Sequence, residues 1–145
     1  MAKKFSFRLE PLLKIKSFRV KQAKEELMSI VYLRLKKESE IEEKNNYLDS
    51  LINQKLTYKK AIAIQAFWYH INFIKEQIVN LENEKKQLIE IENLKRQKLS
   101  AAMKEEKTLE KLKEKKHSVY LEELNKEEIK QFDEIAQKKF QIREI

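Results

Sequence analysis

The chain has 145 residues, of which 39% are charged and 41% hydrophobic, with no glycine, one proline and no cysteine. Glycine and proline supply most turns, so a compact fold of many elements is excluded, and a disulfide framework or thiolate chemistry is excluded with it. The net charge of +8 is uneven: residues 1–37 hold 11 Lys and Arg against 3 Asp and Glu, while residues 38–103 (10 against 10) and 104–145 (11 against 11) balance.

The first element in chain order is a short extended lead-in, Phe5, Phe7 and Leu9, which as a lone strand has nothing to pair with. Pro11 follows. It lacks an N–H and has φ fixed near −65°, so it is tolerated only in the first turn of a helix. The first long helix is therefore predicted to start near Leu9 to Leu12 and to run over residues 9–57. Its apolar stripe is Leu9, Leu13, Val20, Ala23, Leu27, Ile30, Ile41, Leu48 and Leu51. Most spacings are 3, 4 or 7, as a heptad seam requires. Arg34, Lys37 and Lys44 fall on this seam and are expected to weaken it, leaving a stretch that packs loosely or faces a partner.

The heptad phase does not carry through LTYKKAIAIQAFW, residues 56–68. The chain is expected to reverse there, with the bend at residues 57–66. A second helix over residues 65–142 carries Phe67, Ile71, Ile74, Ile78, Leu81, Leu88, Leu99, Ala102, Leu109 and Leu112, interrupted by Glu92 and Lys95. A last stripe is Leu121, Ile129, Phe132, Ala136 and Phe140. The predicted fold is all-α, one antiparallel two-helix coiled-coil hairpin over residues 1–145 with unequal arms of about 75 and 115 Å at 1.5 Å per residue. The alternative is one uninterrupted helix that dimerises. Folding back near residue 61 sets Leu13 by Leu109 and Ile41 by Leu81. The basic N-terminus and the C-terminal overhang then share one end, and the aromatic residues Tyr58, Phe67, Trp68, Tyr69 and Phe73 the other.

No catalytic, metal or cofactor site is expected. His70 and His117 are 47 positions apart without a third ligand at a recognisable spacing. A phosphate loop needs glycines. The serines lack a triad partner, and paired glutamates such as Glu42–Glu43 are common on solvated helix faces. The start is basic, but Arg8, Glu10, Lys14 and Lys16 interrupt any apolar core, so a cleaved signal peptide is not expected. No stretch approaches a membrane span, and a cytoplasmic protein is expected.

Two surfaces are candidates for binding. Tyr69, Phe73, Gln77 and Asn80 are spaced 4, 4 and 3 and share a helix face offset from the seam. Tyr47 and Leu51 of the first helix join them. The bland reading of this aromatic cluster is closure of the bend, and the sharper one is a protein-docking face. The N-terminal basic residues Lys3, Lys4, Arg8, Lys14, Lys16 and Arg19 are either a solvated coiled-coil face or an electrostatic docking arm for an acidic surface. Lys14, Lys16, Arg19, Lys21 and Lys24 surround the helix, which suits an enclosing protein better than a nucleic-acid groove.

Two segments carry a family resemblance. FSFRLEPLLKIK followed by QAKEEL resembles the N-terminal pattern of the FliJ family. EELNKEEIKQFDEIAQKKF resembles its C-terminal signature, with Glu128, Phe132, Asp133, Glu134, Ala136, Lys138 and Lys139 at its core. FIKEQIVNLE, residues 73–82, is similar to the family's stretch after the bend. Pro11 departs from the polar residue usual at its position.

The resemblance implies a non-enzymatic stalk and adaptor of the flagellar type III protein export apparatus, an antiparallel coiled coil like the central stalk of rotary ATPases. It implies three partners: the hexameric export ATPase FliI, the cytoplasmic domain of the export gate FlhA, and export chaperones. It implies a place at the inner membrane at the flagellar base, with no small-molecule substrate, no cofactor and no stable nucleic-acid binding. On this reading Lys3, Lys4, Arg8, Lys14, Lys16, Arg19, Phe132, Asp133, Ala136 and Phe140 contact the ATPase ring. Tyr47, Leu51, Tyr69, Phe73, Gln77 and Asn80 contact the gate. The alternatives are a basic coiled coil binding nucleic acid or an anionic membrane surface, and the equivalent stalk of a virulence type III secretion system.

Overall fold

A computed structural model describes residues 4–54 and 60–144. It contains two helices, α1 over Glu10–Asn53 and α2 over Ala61–Glu144, and no strand among the described residues. Lys3 and Tyr58 lie outside the described residues. Residues 4–7 are in neither helix nor strand, and the backbone turns at Arg8 and Leu9 into α1. The Glu10 amide donates to the Phe7 carbonyl at 3.0 Å and the Leu13 amide to the Leu9 carbonyl at 2.9 Å. Pro11 is the second helical residue, where its missing N–H leaves no bond unmade.

The reversal falls between Asn53 and Ala61. It is narrower than the segment where the heptad phase is lost, because Ala61–Ala66 already form the opening of α2. Loss of phase marks the end of packing, whereas alanine and isoleucine without a breaker stay helical. The Lys60 carbonyl accepts from the Ala63 amide at 3.1 Å and the Ile64 amide at 3.2 Å and so starts the helix.

The helices pack in antiparallel fashion within each of two compact units. One unit comprises Met1–Val20 and Ala102–Ile145, and the other Lys21–Ala101. In the terminal unit Leu13 and Val20 are buried, and Leu109 and Leu112 of α2 are half-buried. Glu10 pairs with Lys113 at 2.8 Å and Lys16 with Glu105 at 2.8 Å, so ascending numbers on α1 meet descending numbers on α2. In the middle unit Ala23, Leu27, Ile71, Ile74 and Ile78 form the core, and Ile71 is fully buried. Burying each of its larger aliphatic side chains contributes about 1.5–3 kcal/mol.

The charged seam positions neither pack loosely nor stand open. Arg34 Nε donates to Glu92 at 2.6 Å, and its Nη1 donates to Glu38 at 2.8 Å. Lys37 meets Glu84 at 2.7 Å, Lys44 donates to Gln77 at 3.0 Å, and Lys95 meets Glu26 at 3.2 Å. Each seam cation of one helix faces an acid or amide on the other. The last apolar stripe differs from the first two. From Asn125 to Arg143 every residue of α2 is exposed, including Ile129, Phe132, Ala136 and Phe140.

Candidate functional site

The middle unit places the aromatic face on the early turns of α2. Tyr69 and Phe73 are exposed, at 68% and 56%, because they lie to one side of the Ile71–Ile74–Ile78 seam that α1 covers. Tyr47 is half-exposed on α1, and its hydroxyl shares a 3.1 Å hydrogen bond with His70 Nε2. The two rings meet edge to face at 6.0 Å. A groove of about 490 Å³ brings Tyr47, Gln77 and Asn80 together with Glu40, Glu43, Lys44 and Leu81. Leu51, Tyr69 and Phe73 do not line it. Gln77, on the wall of this groove, accepts from Lys44 through its side-chain carbonyl at 3.0 Å.

His70 is the residue that sequence reasoning passed over here. Considered only as a metal ligand, it lacks co-ligands. Its partner is Tyr47, 23 positions away, and only the antiparallel register brings the two together.

The middle unit also holds the one buried charged residue among the described residues, Glu92. The Glu92 side chain is buried to 7% exposure and is gripped by Arg96 and Arg34. Hydrogen bonds from Arg96 and then Arg34 hold its carboxyl below the usual carboxylate value, against the opposing effect of burial. The bond to Glu92 and then that to Glu38 raise the Arg34 guanidinium. Lys98 first and Lys95 second lower Glu26 in the same way. The ion pair with Glu84 raises Lys37. Arg34, Lys37 and Lys95 are engaged across the helix pair, while Arg96 and Lys98 stay more than half exposed.

In the terminal unit the basic arm divides in two. Lys4, Arg8, Lys14 and Arg19 are exposed. Lys16 is not: its ammonium is spent on Glu105, which it holds below the ordinary carboxylate range, with Arg19 adding a smaller effect. The lead-in packs on α2 through Phe5, whose ring meets His117 edge-on at 4.9 Å and Tyr120 at 5.6 Å. A groove of about 870 Å³ opens beside it, with Lys4, Phe5, Phe7 and Arg8 on one wall and Val119, Tyr120 and Glu123 on the other. Phe132, Asp133, Ala136 and Phe140 are exposed farther along α2 and do not line this groove, so the structure does not gather the two halves of the expected ATPase contact into one pocket.

Among the described residues no group of three His, Cys, Asp or Glu could hold a metal ion, and no helix is long and apolar enough to cross a membrane.

The molecule is thus an all-α, antiparallel two-helix coiled coil, with interhelical ion pairs along its seam and exposed aromatics set to one side of it. The chain belongs to the FliJ family: the family's sequence model, described as Flagellar FliJ protein, matches residues 5–144, nearly the whole length. That membership ties it to flagellar protein export. No curated protein and no solved structure gives a significant match to the chain.

Proposed function

We propose that this chain is a non-enzymatic stalk and adaptor of the flagellar export apparatus, coupling the hexameric ATPase FliI to the gate FlhA and assisting export chaperones. The observation that carries this reading is the match to the flagellar family over residues 5–144, on a hairpin whose α2 runs on with exposed apolar residues beyond its contacts with α1. The exposed cations Lys4, Arg8, Lys14 and Arg19 steer the arm toward an acidic ring mouth. Phe132, Ala136 and Phe140, with Asp133 beside them, supply the apolar contact to the ring. Tyr47, Tyr69, Phe73, Gln77 and Asn80, with Leu51 at the margin, form the gate-facing surface. Its exposed tyrosine and phenylalanine rings are the kind of group that anchors a protein interface. The flagellar description of the family favours this setting over a virulence secretion system. Work at the flagellar base, peripheral to the inner membrane, follows from the same reading.

The test uses Lys14→Glu/Arg19→Glu and leaves Lys16 in its ion pair. ATP hydrolysis by purified FliI is measured with and without the chain, alongside helix content by circular dichroism. The expected result is loss of stimulation at unchanged helix content. Full stimulation by the variant rejects the basic arm as the ATPase contact. Binding of the unmodified chain to nucleic acid or anionic vesicles, falling steeply with salt, would favour the alternative of a basic surface binder.

A further inference from the structure

The end of α2 poses a problem of its own. Residues 125–143 are helical, yet every one of them is exposed. Most helical stability in proteins comes from packing an apolar face, and this stretch of α2 packs none of its own on α1. The face exists: Leu121, Ile129, Phe132, Ile135, Ala136 and Phe140 fall on one side at 100° per residue, and the five large ones are between 50% and 69% exposed.

The charge pattern along this stretch says what covers it. Residues 124–133 hold Glu127, Glu128 and Asp133 against Lys126 and Lys130, and residues 134–143 hold Lys138, Lys139 and Arg143 against Glu134 alone. One half is negative and the other positive. A second copy laid parallel would set like charge on like. A second copy laid antiparallel sets each acidic half on a basic half.

We propose that the end of α2 pairs antiparallel with the same segment of a second copy of this chain, with the two-fold axis in the turn of Phe132 and Ile135. In that register Phe132 packs on Ile135 of the second copy. Glu127 lies beside Lys138 of the second copy, and Glu128 opposite its Lys139. Asp133 meets Glu134 of the second copy at the axis, a repulsion that keeps the pairing weak and reversible. The pairing does not rest on the export function, but it uses the residues assigned above to the ATPase ring. The paired form is therefore a reserve state that the ring has to open.

The test is the molar mass of the full chain by sedimentation equilibrium over a range of concentrations at low salt, with helix content followed in parallel. The expected result is a concentration-dependent shift from 17.6 kDa toward twice that mass. In Lys138→Glu/Lys139→Glu the dissociation constant rises by at least about tenfold, from losing two pairs on each side of the axis. Adding Glu127→Lys/Glu128→Lys to that variant restores dimerisation. All four positions are exposed, so the hairpin itself stays folded. A monomer at every concentration overturns the proposal, as does a dimer that the reversals leave unchanged. A monomer whose helix content rises only on adding FliI or anionic vesicles also overturns it and assigns the face to that partner.

Discussion

At the scale of single residues, burial and pairing separate positions that composition treats alike. Ile71 is fully buried, whereas Ile62, nine residues earlier, is 80% exposed. Both are isoleucines on the same helix, and only the position of α1 distinguishes them. Truncating Ile71 to alanine should cost about 2–5 kcal/mol, since both transfer energy and a cavity are involved. The same change at Ile62 should fall within about 0.5 kcal/mol. Urea unfolding of the two variants checks this contrast. Lys16 and Lys14 repeat the lesson in charge. They are two positions apart, yet Lys16 is tied to Glu105 while Lys14 is exposed. A helix turns about 200° between such neighbours, so one faces its partner helix and the other faces away. Arm charges that read as equivalent in the sequence are therefore of two kinds.

At the scale of the elements, the interhelical pairs explain how a seam interrupted by Arg34, Lys37, Lys44, Glu92 and Lys95 holds together. A cation removed from water on one helix is tolerated when the other presents its counter-charge. Breaking one partner leaves the other stranded. Arg34→Met should lower the thermal midpoint, because Glu92 keeps only Arg96 inside the seam. Arg34→Met/Glu92→Leu should recover most of that loss, since apolar residues of similar volume suit the seam as well as an ion pair does. Thermal melts followed at 222 nm decide it: a double variant no more stable than the single would mean the pair does more than satisfy buried charge. The pairing was not legible in advance. The seam positions of each helix could be read from their spacing, and the interruptions were visible on both. Which interruption meets which depends on register, and register was open until the helices were packed.

At the scale of the whole molecule, stability depends on pH through the same groups. Glu26, Glu92 and Glu105 all titrate below the ordinary carboxylate value of 4.5. A depressed carboxylate stabilises the fold fully above its unfolded value, and that stability is lost as pH falls through the folded one. The Lys37 ammonium is raised above its ordinary value of 10.5 by its bond to Glu84, and the Arg34 guanidinium is raised too by its bonds to Glu92 and Glu38. A raised cation stabilises fully below its unfolded value, and that stability is lost as pH climbs through the folded one. Thermal midpoints measured across pH should therefore be level from about 5 to 10, fall below pH 4.5 as the carboxylates protonate, and fall again above 10.5 as Lys37 gives up its proton. High salt should flatten the acid limb, because the pairs are only partly shielded from solvent.

The sequence by itself determined that the chain is helical, and it favoured a reversal near residue 61, where the heptad phase is lost, over one uninterrupted helix. It contains no glycine, it places its one proline where a helix can begin, and its apolar residues recur every three or four positions. Those are local properties, set by backbone geometry and the helical period. The N- and C-terminal motifs were equally legible, and the family match over residues 5–144 agrees with them. Only the tertiary structure decided which charges are spent and which apolar residues stay exposed. It joined Arg34 to Glu92, Lys16 to Glu105 and Tyr47 to His70 across 58, 89 and 23 positions. It also left Phe132 and Phe140 uncovered although their spacing matches that of the buried seam. A helical stripe shows that a side chain can face a partner, but whether one is there depends on where the other helix lies.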